Sequence, residues 1–153
     1  MLERIASGGQ TGVDRAALDV ALSRGLQCGG WCPKGRLAED GRIPLSYPLC
    51  ETPSPAYEER TAWNVRDSDG TLVLTWGASS EGTAFTIALA KEMRRPHLVI
   101  DLANDTAKAE QAAQWLHDSQ IRVLNIAGPR ASKSPQIYEH AVAFLHSMLD
   151  ASA

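Results

Sequence analysis

The sequence predicts an α/β fold, a Rossmann-like three-layer sandwich with a mainly parallel sheet of about five strands, formed by a single domain over residues 1–153. Three observations carry this. Short apolar runs alternate with segments whose apolar residues recur at helical spacing, the pattern of successive βαβ units. Glycine-rich turns stand directly between a strand pattern and a helix pattern. A chain of 153 residues with 44% hydrophobic content suits one core. Right-handed crossovers then place helices on both faces of the sheet.

Residues 2–6 read as the first strand. Val13, Ala16, Ala17, Val20 and Ala21 follow at helical spacing, and Gly25 is the stop signal. Residues 26–29 are a short second strand. The stretch 30–55 is broken by repeated glycine and proline and carries Trp31, Tyr47 and several charges. Loops of that length are usually functional or disordered, and these aromatic and charged residues favour an ordered binding loop. Ser54 and Pro55 are placed to cap and open a helix running to about Asp67. Residues 71–75 form a buried strand. The turn 77–82 leads into a helix with Phe85, Leu89 and Met93 on one stripe, stopped by Pro96. Residues 98–100 are the next strand. Asp105 is placed to cap a helix striped by Ala109, Ala112, Ala113 and Leu116. Residues 121–127 are the last strand. Ser134 and Pro135 open the final helix, with Ile137, Ala141, Phe144, Leu145 and Met148 facing inward. The expected total is five strands and five helices.

Composition narrows the function. The net charge of -3 and pI of about 5.8 leave no basic footprint for nucleic acid. No apolar run is long enough for a membrane span, and the N-terminus is too short and charged for a signal peptide. Cys28, Cys32 and Cys50 predict reduced thiols in the cytoplasm, with Cys28 buried and the other two in loops. Cys28 and Cys32 lack the partner pair of a structural zinc site, so no protein-bound metal is expected. Neither a G-x-S-x-G elbow nor an H-E-x-x-H helix is present. The four histidines, His97, His117, His140 and His146, read as structural or surface residues.

In open parallel sheets, ligands bind beyond the carboxyl ends of the strands. Three loops leave strands at that edge. The first holds Gly8, Gly9, Gln10, Thr11 and Gly12, then Asp14 and Arg15 in the opening helical turn. Glycines let a backbone approach phosphate, and a helix N-terminus favours an anion. Thr11 adds a hydroxyl, and Asp14 suits the helix dipole, a ligand hydroxyl or a neighbouring arginine. The motif is neither G-x-G-x-x-G nor Walker A, and a tight turn without a ligand is the bland alternative. The second loop brings Gly82 and Thr83 for a further phosphate or ribose contact, against simple capping by Ser80 or Thr83. The third brings Arg130 and Lys133, against a solvated basic loop. Lys34 and Arg36 of the long stretch are candidates to close over phosphate oxygens, with a surface turn as the alternative. Arg60 and Asn64 share a helix face. Trp63 and Trp115 read as core residues, whereas Trp31 and Trp76 adjoin the loops and are placed to pack on a ring.

Several segments together match a known family. They are Ser-Gly-Gly-Gln-Thr-Gly-Val-Asp-Arg at 7–15, Gly-Gly-Trp-Cys-Pro-Lys-Gly-Arg at 29–36, Ala-Glu-Asp-Gly at 38–41 and Tyr-Pro-Leu at 47–49. To these add Arg-Thr-x-x-Asn-Val-x-Asp-Ser-Asp-Gly-Thr at 60–71 and Gly-Thr-x-x-Thr at 82–86. This order resembles the putative molybdenum carrier family, the circularly permuted YpsA-like branch of the SLOG superfamily. The resemblance implies a Rossmann-like nucleotide-binding fold, a homo-oligomer (dimer or tetramer), and a ligand over the Gly8–Gly12 and Gly82–Thr83 loops. For carrier members it implies molybdenum cofactor, a pterin phosphate, as the ligand. The superfamily also holds phosphoribohydrolases, whose Gly-Thr motif is followed three residues later by a helical glutamate. Here Thr86 stands at that position. The expectation is binding of a phosphate-bearing, nucleotide-like ligand such as molybdenum cofactor or a nucleotide. The alternative is a nucleotide-processing enzyme of the phosphoribohydrolase type.

Overall fold

The alternating pattern folds as a five-stranded, all-parallel sheet. The protein's structure is a computed structural model that describes residues 1–77, 80–104 and 108–153. Strand β1 (Arg4–Ala6) leads through helix α1 (Val13–Ser23) to β2 (Gln27–Gly29). A long excursion follows, with the short strands β3 (Trp31–Cys32), β4 (Leu37–Ala38), β5 (Gly41–Arg42) and β6 (Cys50–Glu51). Then come α2 (Tyr57–Arg66), β7 (Gly70–Thr75), α3 (Glu81–Glu92), β8 (His97–Asp101), α4 (Lys108–Asp118), β9 (Val123–Ala127) and α5 (Ile137–Ser152). The central sheet runs β2-β1-β9-β7-β8. The last strand thus sits between the first strand and β7, and the loops after β1, β7 and β9 share one edge.

Helices α1, α4 and α5 pack on one another, and α2 packs on α3, so the five helices flank the sheet as two layers. The main core joins Ile5, Leu72, Leu74, Leu124 and Ile126 of the sheet to Ala17, Leu116, Leu145 and Met148 of the helices. A second small core of Leu18, Cys32, Ile43 and Leu49 lies under the long excursion. That stretch is therefore a packed substructure. It holds two extra strand pairs, β3 with β6 and β4 with β5, which the sequence reading had as one loop. Cys32, not Cys28, is the fully buried thiol.

Helix starts differ from expectation in a regular way. Ser54 Oγ accepts from the Ala56 N–H, forming a turn, and α2 begins only at Tyr57. Residues 134–136 likewise form a turn before α5. In both places Ser-Pro makes a local turn ahead of the helix. The inward faces of α4 and α5 follow the expected stripes. Helix α3 does not. Its buried residues are Thr83, Thr86 and Ala90, while Phe85 is 39% exposed. The Asp105 cap lies outside the described residues, as do Ala78 and Ser79 of the second glycine turn. Among the described residues, no helix is long and apolar enough to cross a membrane.

Candidate functional site

The edge formed by the carboxyl ends of β1, β7 and β9 opens into a cleft of about 790 Å³. That volume is the size class of small-molecule sites. Gly8 and Asp14 contribute from the first loop and α1, and Tyr57, Arg60 and Asn64 from α2. The start of α3 brings Ser80, Gly82, Thr83 and Thr86, together with Glu81 and Phe85. The end of β9 and the loop beyond it bring Asn125, Gly128, Arg130 and Lys133.

The deepest charged group is Asp14, 3% exposed. Its Oδ2 accepts from the Gln10 N–H at 3.2 Å and from Arg60 Nη1 at 3.3 Å. Burial pushes its carboxyl above the ordinary range, opposed by Arg60, the Gln10 amide and Arg15. Arg60 lies flat against Gly8. A Cβ there would come within 2.3 Å of Nη1, so the bare backbone of Gly8 is what admits the guanidinium. Among the described residues, Arg60 Nε is buried without a hydrogen-bond partner. On the opposite wall, Ser80 caps α3 by accepting from the Thr83 N–H, and Thr86 Oγ1 donates to the Gly82 carbonyl. Thr86 is thereby tied to its own helix.

The Arg130 loop is held by one carboxylate. Glu39 accepts from Thr11 Oγ1 and from both the N–H and the hydroxyl of Ser132, and its Oε1 lies 3.6 Å from Arg130 Nε. The Ala131 N–H donates to Thr11 Oγ1 at 3.1 Å. Burial works against the Glu39 carboxylate, but these bonds and Arg130 hold it below the ordinary range. Through them the β4–β5 hairpin fastens the loop that presents Arg130 to the cleft.

The model of the circularly permutated YpsA SLOG family matches residues 5–149. The chain belongs to that family. It is similar to a putative molybdenum carrier protein from Syntrophus aciditrophicus SB, known from a crystal structure at 1.45 Å resolution. The two share 47% sequence identity over 97% of this chain and 95% of that one, with a TM-score of 0.92. No curated protein matches the chain.

In this member of the circularly permutated YpsA SLOG family, the cleft gathers Gly8, Gln10, Asp14, Arg60, Asn64, Gly82, Thr83, Thr86 and Arg130 from the sequence-derived candidates. It does not gather Gly9, Thr11, Gly12, Arg15, Lys34 or Arg36. Gly9 faces Leu49 and Ile43 of the second core, and Gly12 faces the backbone of residues 129–131. Thr11 braces the Arg130 loop. Arg15 makes a two-pronged pair with Asp40 and donates to the Gly9 carbonyl. Lys34 is exposed elsewhere. Arg36 is buried and donates to the carbonyls of Ile43, Pro44, Tyr47 and Leu49, which makes it the organiser of the long excursion. Trp31 meets Trp63 edge-on at 4.7 Å, and Trp76 packs on His140, so neither lines this cleft.

Several amides of the first glycine loop and the start of α1 are also occupied. Gln10 N–H donates to Asp14, Thr11 N–H to Gln10 Oε1, Gly9 N–H to Ser7 Oγ and Val13 N–H to the Pro129 carbonyl. Sequence reasoning missed Asn125 and Tyr57. Asn125 had a signal, a carboxamide amid the apolar run Val-Leu-Asn-Ile of a central strand. Tyr57 had none.

Proposed function

We propose that the chain binds a small phosphate-bearing ligand in this cleft, with the anion at Arg130 and Lys133. One observation carries the reading: two basic side chains of one loop line a concave site at the switch between oppositely directed crossovers of a parallel sheet. Arg60 is engaged by Asp14 at 3.3 Å, a closer pair than the 3.6 Å of Arg130 Nε to Glu39, and Lys133 has no ion pair among the described residues, so the loop supplies the cations for an anion. Glu58 and Glu81 line the cleft too and disfavour an anion on their side. Among the described residues, no cysteine or histidine lines the cleft, and no group of three or more His, Cys, Asp or Glu is placed to hold a metal. The similarity to a putative molybdenum carrier protein supports molybdenum cofactor as cargo. The residues fit its phosphate, and the protein offers that cargo no thiolate or imidazole in the cleft.

Calorimetric titration with inorganic phosphate and AMP tests the reading. The double variant Arg130→Ala/Lys133→Ala is expected to lose about tenfold or more in affinity for both, since charge-assisted hydrogen bonds are the strong ones. Unchanged affinity in a folded double variant would remove this loop from the site.

The same reading includes a homo-oligomer built across α3 and the edge strand β8. Ala84 and Ala88 are exposed on α3 beside Phe85, which also lines the cleft, and Val99 of β8 is 40% exposed. Glu81 in the first turn and Lys91 in the last are complementary in an antiparallel α3–α3 pairing of two copies. Light scattering behind size exclusion is expected to show a dimer or larger for the wild type and a monomer for Phe85→Asp/Val99→Asp. A wild type that is monomeric at tens of micromolar would count against it.

A further inference from the structure

We infer that the ligand enters with its hydrogen-bond donors inward, to Asp14 and Asn125, and its anion outward, to Arg130 and Lys133. This rests on the proposed anion site and specifies the ligand's other end. Depth and chemistry run together along the cleft. Asp14 and Asn125 are each 3% exposed and form the floor, whereas the Arg130 side chain is 37% exposed and Lys133 is exposed at the rim. On the floor, Asp14 Oδ2 is taken by Arg60 and the Gln10 amide, but Oδ1 makes no hydrogen bond among the described residues. Asn125 Nδ2 donates to Thr71 Oγ1 at 3.3 Å, leaving its Oδ1 equally without a bond. Two residues deep in the same cleft therefore each keep an acceptor oxygen open.

A phosphate dianion suits that floor poorly. Its unprotonated oxygens are acceptors, and the floor carries a carboxylate whose charge the Arg60 guanidinium balances. A group presenting O–H or N–H donors completes both acceptors, and a hydrogen bond to a charged group is among the stronger ones. The ligand class is thus a phosphate ester whose body ends in hydroxyl or amine donors: a sugar phosphate, a nucleotide or a pterin phosphate. An alkyl phosphate of the same size lies outside it.

The test compares ribose 5-phosphate, cyclopentylmethyl phosphate and inorganic phosphate by calorimetry at neutral pH. Ribose 5-phosphate is expected to bind at least about tenfold tighter than cyclopentylmethyl phosphate, the range of a hydrogen bond to a charged group. Asp14→Asn is expected to shrink that ratio toward unity without weakening inorganic phosphate, since it frees the Arg60 cation. Because Asp14→Asn disturbs the Arg60 pair, Asn125→Ala serves as a second variant with the same expectation. Equal affinity for the two esters in the wild type overturns the inference and leaves the anion site standing. A ratio that survives in either folded variant also overturns it, since the hydroxyls are then read elsewhere. No binding of any of the three overturns the inference and the anion site together.

Discussion

Gly12→Ala is expected to cost the protein about 3 kcal/mol, from backbone strain of roughly 1–2 kcal/mol and overpacking of similar size. Gly12 has φ of 80°, a conformation that side chains rarely adopt. A Cβ on it would lie 2.4 Å from the Pro129 carbonyl oxygen and 3.1 Å from the Ala131 nitrogen. Those are backbone atoms at the crossing of the first glycine loop and the Arg130 loop, so relief requires moving one loop against the other. A Cβ at Gly8 meets only the far end of the Arg60 side chain, which swings more easily. Thermal denaturation should register Gly12→Ala as a fall of roughly 6–12 °C in a domain of this size. A melting temperature within about 2 °C of wild type would mean that the two loops do not meet as described.

The second large effect is expected from Arg60→Met. The arginine side chain is 14% exposed and that of its partner Asp14 4% exposed. Removing the cation leaves a buried carboxylate with one backbone donor, and such losses run to about 3–5 kcal/mol. The pH dependence gives the effect a signature. Burial raises the folded pKa of Asp14 above its ordinary value. The stability associated with that shift is fully present below the unfolded pKa and is lost as pH rises through the folded one. Without Arg60 the folded pKa climbs further, so the loss extends to higher pH. Chemical denaturation at pH 5 and pH 8 should therefore find Arg60→Met more damaging at pH 8, with Asp14→Asn in the same chain restoring part of the stability. A deficit independent of pH would show that the pair is not what the substitution breaks.

The two effects separate the uses of the glycine loop. A run such as Gly8-Gly9-Gln10-Thr11-Gly12 looks from its sequence like a cradle for phosphate. In the fold, three other parts of the chain share it: α2 over Gly8, the second core over Gly9 and the Arg130 loop over Gly12. Glycine permits close approach, and composition alone does not say what approaches.

Strand and helix identity, the parallel sheet, the inward faces of α4 and α5 and the loops at the binding edge followed from the sequence, because periodicity and glycine placement act over a few residues. Arg60, Asn64, Thr83 and Arg130 line one cleft. What only the tertiary structure decided depends on contacts between distant segments. The placement of β9 between β1 and β7 brings Asn125 to the cleft floor. The carbonyls gathered from residues 43–49 turn Arg36 from a surface cation into a buried strut. Glu39, 28 residues from Thr11 and 93 from Ser132, fastens the loop that carries Arg130. Local propensity carries no information about such partners, and a charged side chain's role is set by the partner that neutralises it.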